Sequence, residues 1–146
     1  MTVKPANPST RTALSISDLQ ALAYNQSADK GFHDNEPVEG RALLSLNAER
    51  VALMHSELSE ALEELRSGRP ANQTYYPEAD RLSESGGTPA EARVRFKPEG
   101  VPSELADVVI RVLDFCGAND IDLESMITEK LAYNASRSRM HGGKKF

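Results

Sequence analysis

Residues 102–117 read PSELADVVIRVLDFCG, and the fold turns on how this stretch is placed. Pro102 suits the first turn of a helix, where its missing N–H costs nothing, and Gly117 reads as the stop. On a wheel of about 100° per residue with Glu104 at zero, Leu105, Val108, Val109, Ile110, Val112, Leu113 and Cys116 cover most of the circumference. A helix apolar nearly all round is central to a bundle or lies in a subunit interface. Its one polar stripe holds Glu104, Asp107, Arg111 and Asp114, at about 0°, −60°, −20° and −80°. That stripe is either the helix's only solvent-facing side or a set of acids turned toward a cation.

Upstream, residues 40–67 carry no glycine or proline after their start and end at Gly68 and Pro70, which predicts a long helix. With Leu53 at zero, the apolar stripe runs from Leu46 near about 20° through Leu43, Ala61, Met54 and Leu65 to Leu58 near about 140°. Glu57 falls at about 40°, inside that arc, while Glu60 at about −20° lies on its edge and Glu64 shares the face one turn on. Ser17 and Gln20 fit a capping box opening a helix over 17–29, with Leu19, Leu22 and Ala23 on its apolar face. Residues 31–37 read as a loop. Asp122 is the expected N-cap of a last helix running to about Arg137.

Between the second and third helices the segment 68–102 collects five of the eight prolines and four of the nine glycines. It reads as a long irregular excursion, with a short extended piece over Ala92–Phe96. Residues 1–16 are expected to be a loose N-terminal arm and 138–146 a basic tail. The whole predicts one all-α domain, a four-helix bundle with a long irregular loop between helices 2 and 3.

Composition removes several function classes. The 146 residues are 39% hydrophobic and 27% charged, so the chain is neither membrane-embedded nor a disordered polyelectrolyte. No apolar run exceeds four residues, which argues against a transmembrane helix and a secretory signal. The single cysteine, Cys116, permits no intrachain disulfide and is expected in the core; the protein is read as cytoplasmic. The net charge of −5 hides an asymmetry: residues 130–146 carry five cations and no acid, and the remainder is strongly acidic. An acidic body repels phosphate over most of its surface, which excludes a general binder of nucleic-acid polymers.

Two helices thus each present paired acids three residues apart, Glu57 with Glu60 and Glu104 with Asp107. Bare carboxylates on a core-facing arc are costly and take up protons unless a cation neutralises them. Oxygen ligands without histidine or cysteine favour a hard ion, Mg²⁺ or Mn²⁺. A carboxylate-bridged iron site would place Glu-x-x-His on its helices, and that histidine is missing. On the last helix Lys130, Asn134 and Arg137 fall within about 60° of one another. An acidic wall facing a basic one matches a polyphosphate carrying Mg²⁺. Each feature also has a plainer reading: solvated acids on a helix, and cations placed near a helix C-terminus by its dipole. His33, beside Phe32 in a loop, is a candidate ligand contact, although surface loop is its simpler reading. His55 reads as a packing or surface residue. Tyr75-Tyr76 either stack on a base or anchor the excursion.

In this order, Glu57-Leu-Ser-Glu60, Glu104-Leu-Ala-Asp107 and Lys130-Leu-Ala-Tyr-Asn134-Ala-Ser-Arg137, followed by His141-Gly-Gly-Lys144, resemble the MazG-like, all-α nucleoside triphosphate pyrophosphohydrolases. The resemblance covers about residues 17–67 and 102–145. It implies hydrolysis of a (d)NTP between the α- and β-phosphates to the monophosphate and pyrophosphate. It implies Mg²⁺ held by Glu57, Glu60, Glu104 and Asp107, and substrate contacts from Lys130, Asn134, Arg137 and Lys144. Arg111 departs from the family pattern, standing where related enzymes can carry an aromatic or polar residue, and its guanidinium either grips a phosphate or pairs with Asp107 or Asp114; His33 stays the loop candidate named above. The resemblance also implies a homodimer or homotetramer. The spacer between Glu60 and Glu104 exceeds that of compact members, so 69–101 reads as a branch-specific insertion. Two alternatives stay open: a non-catalytic helical interaction module, and the related phosphoribosyl-ATP pyrophosphohydrolase.

Overall fold

The computed structural model describes residues 13–78 and 86–137. Residues 1–12 of the predicted arm, the tail with His141 and Lys144, and part of the excursion lie outside these residues; Ser15 and Ile16, expected in the arm, open α1. The fold is all-α. Among the described residues five helices follow in order: α1 (Ile16–Asp29), α2 (Gly40–Arg66), α3 (Pro89–Arg95), α4 (Val101–Ala118) and α5 (Leu123–Ser136). Among the described residues the one β-type pairing is an isolated antiparallel bridge between Tyr75 and Glu99. Helices α1 and α2 both pack on α4, and α5 packs chiefly on α1.

Several boundaries differ from expectation for identifiable reasons. The N-cap of α1 is Ser15, in a capping box with Asp18, and not Ser17 with Gln20. Those two side chains are drawn to the start of α5 instead. Ser17 donates through its backbone N–H and its hydroxyl to Glu124 Oε2, at 2.9 and 2.6 Å, and Gln20 Nε2 donates to the Ile121 carbonyl at 2.8 Å. The piece expected to be extended over Ala92–Phe96 is mostly helix, the C-terminal part of α3. Thr88 caps it: its N–H and hydroxyl donate to Glu91 Oε2 at 2.7 and 2.9 Å, with Pro89 in the first turn.

Gly117 does not end α4; it lies inside it. Its role is close approach, because a Cβ there would sit 2.7 Å from Tyr24 Cβ and 3.0 Å from Tyr24 Cγ. The helix ends one residue later at Ala118, with Asn119 as its C-cap, and Asp120 then takes a positive φ of 53°. Gly117→Ala is expected to push α1 from α4 and cost about 1–3 kcal/mol, as overpacking does. A urea midpoint equal to that of the unsubstituted protein would contradict this packing.

The interior is small. Among the described residues the buried apolar side chains are Ala61, Val101, Leu113 and Cys116. Burial pushes the Cys116 thiol up from its ordinary range, so it behaves as a packing residue. The stripe expected to be buried on α2 is only partly so: Leu53, Leu58 and Leu65 are 45%, 45% and 46% exposed. The packed arc of α2 is instead centred on Glu57 and Ala61, both buried. The face of α4 is inverted relative to its plainer reading. Its polar stripe points inward and Glu104 is 2% exposed, whereas Leu105, Val109 and Ile110 are about half exposed.

Candidate metal and anion site

The site grows from the contact between α2 and α4. Glu57 sits mid-way along α2, where that long uninterrupted helix faces α4. Glu104 occupies the first turn of α4, and Asp107 follows one turn on. Gly100 ends the preceding segment at φ 103° and lets the chain turn sharply into the helix, and the backbone N–H of Glu104 donates to its carbonyl at 3.2 Å. One carboxylate oxygen from each of Glu57, Glu104 and Asp107 lies within 4.8 Å of the other two. Glu57 and Glu104 are buried and Asp107 is half-buried.

The electrostatics of this triad are unbalanced. Arg111, one turn beyond Asp107, donates from Nε and Nη2 to the same Glu57 oxygen, at 2.7 and 2.6 Å. Glu104 has no such partner: its Oε2 is buried without a hydrogen bond. Burial raises the Glu104 carboxyl above the ordinary carboxylate range. Lys97 opposes the shift, and Glu60, Asp107 and Glu99 add to it. A buried, partnerless oxygen amid further acids is the environment a divalent cation relieves, and an all-oxygen donor set suits Mg²⁺ or Mn²⁺.

The shift has a sign in stability. A carboxyl whose pKa is raised on folding favours the native state while protonated. That contribution is whole below the unfolded-state pKa and is lost as pH rises through the raised one. Without metal, Glu104→Gln is therefore expected to raise stability at neutral pH by about 1–2 kcal/mol, the order of a relieved buried group. It should also flatten the fall of stability with rising pH above the carboxylate range. Thermal melts at several pH values in EDTA check both effects, and a variant less stable than the unsubstituted protein would contradict them.

Glu60, expected as a fourth ligand, is exposed on the rim. With Ser59, Glu63, Glu64, Glu99 and Glu104 it lines a shallow hollow of about 310 Å³. On the other side of the triad a cleft of about 490 Å³ runs between α2, α4 and the loop after α1. Its walls include Phe32, Leu46, Arg50, Leu53, Glu57, Asp107, Ile110, Arg111 and Asp114. Phe32 stands 73% exposed.

His33 is not a surface residue, contrary to its simpler reading. Its side chain is 8% exposed, and its ring lies 4.7 Å from that of Tyr24. Nε2 is 2.7 Å from Asp114 Oδ1, and Nδ1 is 2.9 Å from both Glu36 Oε1 and Arg50 Nη2. Arg50 also pairs with Glu36. A proton on Nε2 is donated to Asp114 in the tautomer that lets Nδ1 accept from Arg50, and a proton on Nδ1 would be donated to Glu36 instead. His33 thereby ties the loop after α1 to α2 and α4 at the far end of the cleft.

The cations of the last helix are elsewhere. Lys130 and Asn134 on α5, and Arg137 at its C-cap, are all exposed, and among the described residues α5 packs chiefly on α1. Lys130 and Arg137 lie 5.4 and 5.8 Å from the Tyr133 ring. Sequence reasoning missed Glu36, Arg50 and Lys97, and no motif spacing marks them. A further hollow of about 580 Å³ lies where α1 and α5 begin, but two of its three acids are engaged, Asp122 by Ser125 and Glu124 by Ser17. No described helix is long and apolar enough to cross a membrane. No family model, curated protein or solved structure matches the chain.

Proposed function

We propose that the chain is a Mg²⁺-dependent nucleoside triphosphate pyrophosphohydrolase of the MazG-like, all-α bundle type. The observation that carries this reading is the Glu104 oxygen, Oε2, buried with no hydrogen-bond partner among the described residues, beside Glu57 and Asp107, which line the 490 Å³ cleft. A cleft of that size suits a nucleotide.

Glu57, Glu104 and Asp107 would hold Mg²⁺, or Mn²⁺ in its place, with Glu60 joining from the rim. The metal supplies charge neutralisation for phosphate oxygens and a more acidic bound water. The chain's own residues do the rest. Arg111, already poised against Glu57, turns its remaining N–H groups toward a phosphate in the cleft. Glu60 orients the water that attacks the α-phosphorus as the bond to the bridging oxygen breaks and pyrophosphate leaves. Phe32 offers an aromatic face to a base, and His33 fixes the loop that carries it. Positioning and electrostatics dominate phosphoryl transfer, so these placements account for most of the expected rate.

The small interior and the exposed Leu105, Val109, Ile110, Met126, Leu131 and Tyr133 support self-association as a homodimer or homotetramer. In such an assembly Lys130, Asn134 and Arg137 would reach the acids of a neighbouring copy. The substrate pool is cytoplasmic in this reading. The test is pyrophosphate release from a panel of canonical and modified (d)NTPs with Mg²⁺, beside a phosphoribosyl-ATP control. Release from at least one (d)NTP is expected. Release from the control alone, or from nothing, overturns the reading in favour of the related enzyme or of a non-catalytic helical module.

A further inference from the structure

The excursion between α2 and α4 ends in a strap that is fixed at both edges. Tyr75 and Glu99 exchange backbone hydrogen bonds, Tyr75 N–H to the Glu99 carbonyl at 3.1 Å and Glu99 N–H to the Tyr75 carbonyl at 2.9 Å. Tyr75 is itself held to the end of α2. Its hydroxyl donates to Glu64 Oε1 at 3.0 Å, Arg69 Nε lies 3.0 Å from Glu64 Oε2, and the Arg69 guanidinium stacks 3.9 Å above the Tyr75 ring. Ser103 Oγ donates to the Pro98 carbonyl at 2.9 Å and closes the strap onto the first turn of α4. Residues 97–99 are thereby set beside Glu104.

Lys97 is the cation this strap carries. Its nearest acid, Glu99 Oε1, is 3.6 Å from Nζ, beyond a good hydrogen bond, and its side chain is 62% exposed. The other acids acting on it are Glu104 and Glu60; with Glu99 first, they hold the ammonium above the usual lysine range. Glu99 lines the same hollow as Glu60 and Glu104, so the acids have a cation near each side, Arg111 on the Glu57 side and Lys97 on the Glu99 and Glu104 side. Lys97 has donors to spare. Once divalent ions neutralise Glu104 and Glu60, of these acids only Glu99 remains as its counter-charge, at a distance that leaves ammonium donors free for a phosphate oxygen.

Resting on the pyrophosphohydrolase reading for its substrate class, we propose that Lys97 is a phosphate-binding residue of this site, gripping the diphosphate portion of the ligand from the side opposite Arg111. It supplies, from the same chain, a cation that α5 does not bring to the acids.

The probe is inorganic pyrophosphate with Mg²⁺, titrated by calorimetry, together with the KM and kcat of (d)NTP turnover. In Lys97→Ala, pyrophosphate binding is expected to weaken about 10-fold or more and KM to rise more than kcat falls, with Lys97→Arg recovering most of the loss. Mn²⁺ binding measured without phosphate should be unchanged or tighter, which separates a lost phosphate contact from a damaged metal site. Equal pyrophosphate affinity in Lys97→Ala and the unsubstituted protein overturns the proposal even when turnover is normal. So does failure of the unsubstituted protein to bind pyrophosphate. Lys97-dependent pyrophosphate binding in a protein that hydrolyses no (d)NTP would retain the phosphate site and remove the pyrophosphohydrolase reading.

Discussion

Asp107→Asn is expected to lower Mg²⁺-dependent pyrophosphate release by about 10³-fold or more, with helicity by circular dichroism unchanged. Asparagine keeps the shape of a half-buried side chain and removes the one property a divalent ion needs, the negative charge. Asp107 is a cleaner target than its neighbours. Glu57→Gln would also disturb the two bonds from Arg111, and Glu104→Gln changes the stability of the metal-free protein. Mn²⁺ affinity should fall in parallel with rate. Turnover within about tenfold of the unsubstituted enzyme would show that the triad is not where the chemistry happens.

Gly100→Ala should have the largest effect on stability of any single methyl added to this chain. The residue combines φ 103° with ψ 166°, a region open in practice only to glycine. A Cβ there would also overlap the Gln73 carbonyl oxygen, a backbone atom that cannot swing aside. Strain and overlap together are expected to cost about 3 kcal/mol or more, a fall in melting temperature of roughly 10 °C. If the strap yields instead, the Tyr75–Glu99 bridge opens. The loss then appears as faster hydrogen exchange at the Tyr75 and Glu99 amides with α1 and α2 unaffected. A variant that melts normally and keeps those amides protected would refute the close approach.

The helices were legible in the sequence because their signals are local. Asp122 caps α5 as expected, Gly68 and Pro70 follow the end of α2, and Glu57 lies on the packed arc where its wheel position put it. Most of what misled was decided at a distance. Two capping boxes competed at the start of α1, and Ser15 won because Glu124 engages Ser17. An all-round apolar α4 does not declare which side turns inward. That choice belongs to α1 and α2, and it buried Glu104 while leaving Val109 and Ile110 out. Thr88-Pro-Ala-Glu91 was a readable helix start inside a segment whose proline content suggested irregular chain. Lys97 and the His33 network could not be read, because each joins residues that only the folded chain makes neighbours.

The inward polar stripe of α4 has a consequence for how this protein can change. Two of its few buried positions, at Glu57 and Glu104, are held by acids where leucine would pack better. Libraries screened for heat resistance alone should therefore drift toward aliphatic residues there, yielding tougher molecules that have forgotten their work. Selection for turnover would pull the same two sites back, so robustness and usefulness contend for a single pair of codons.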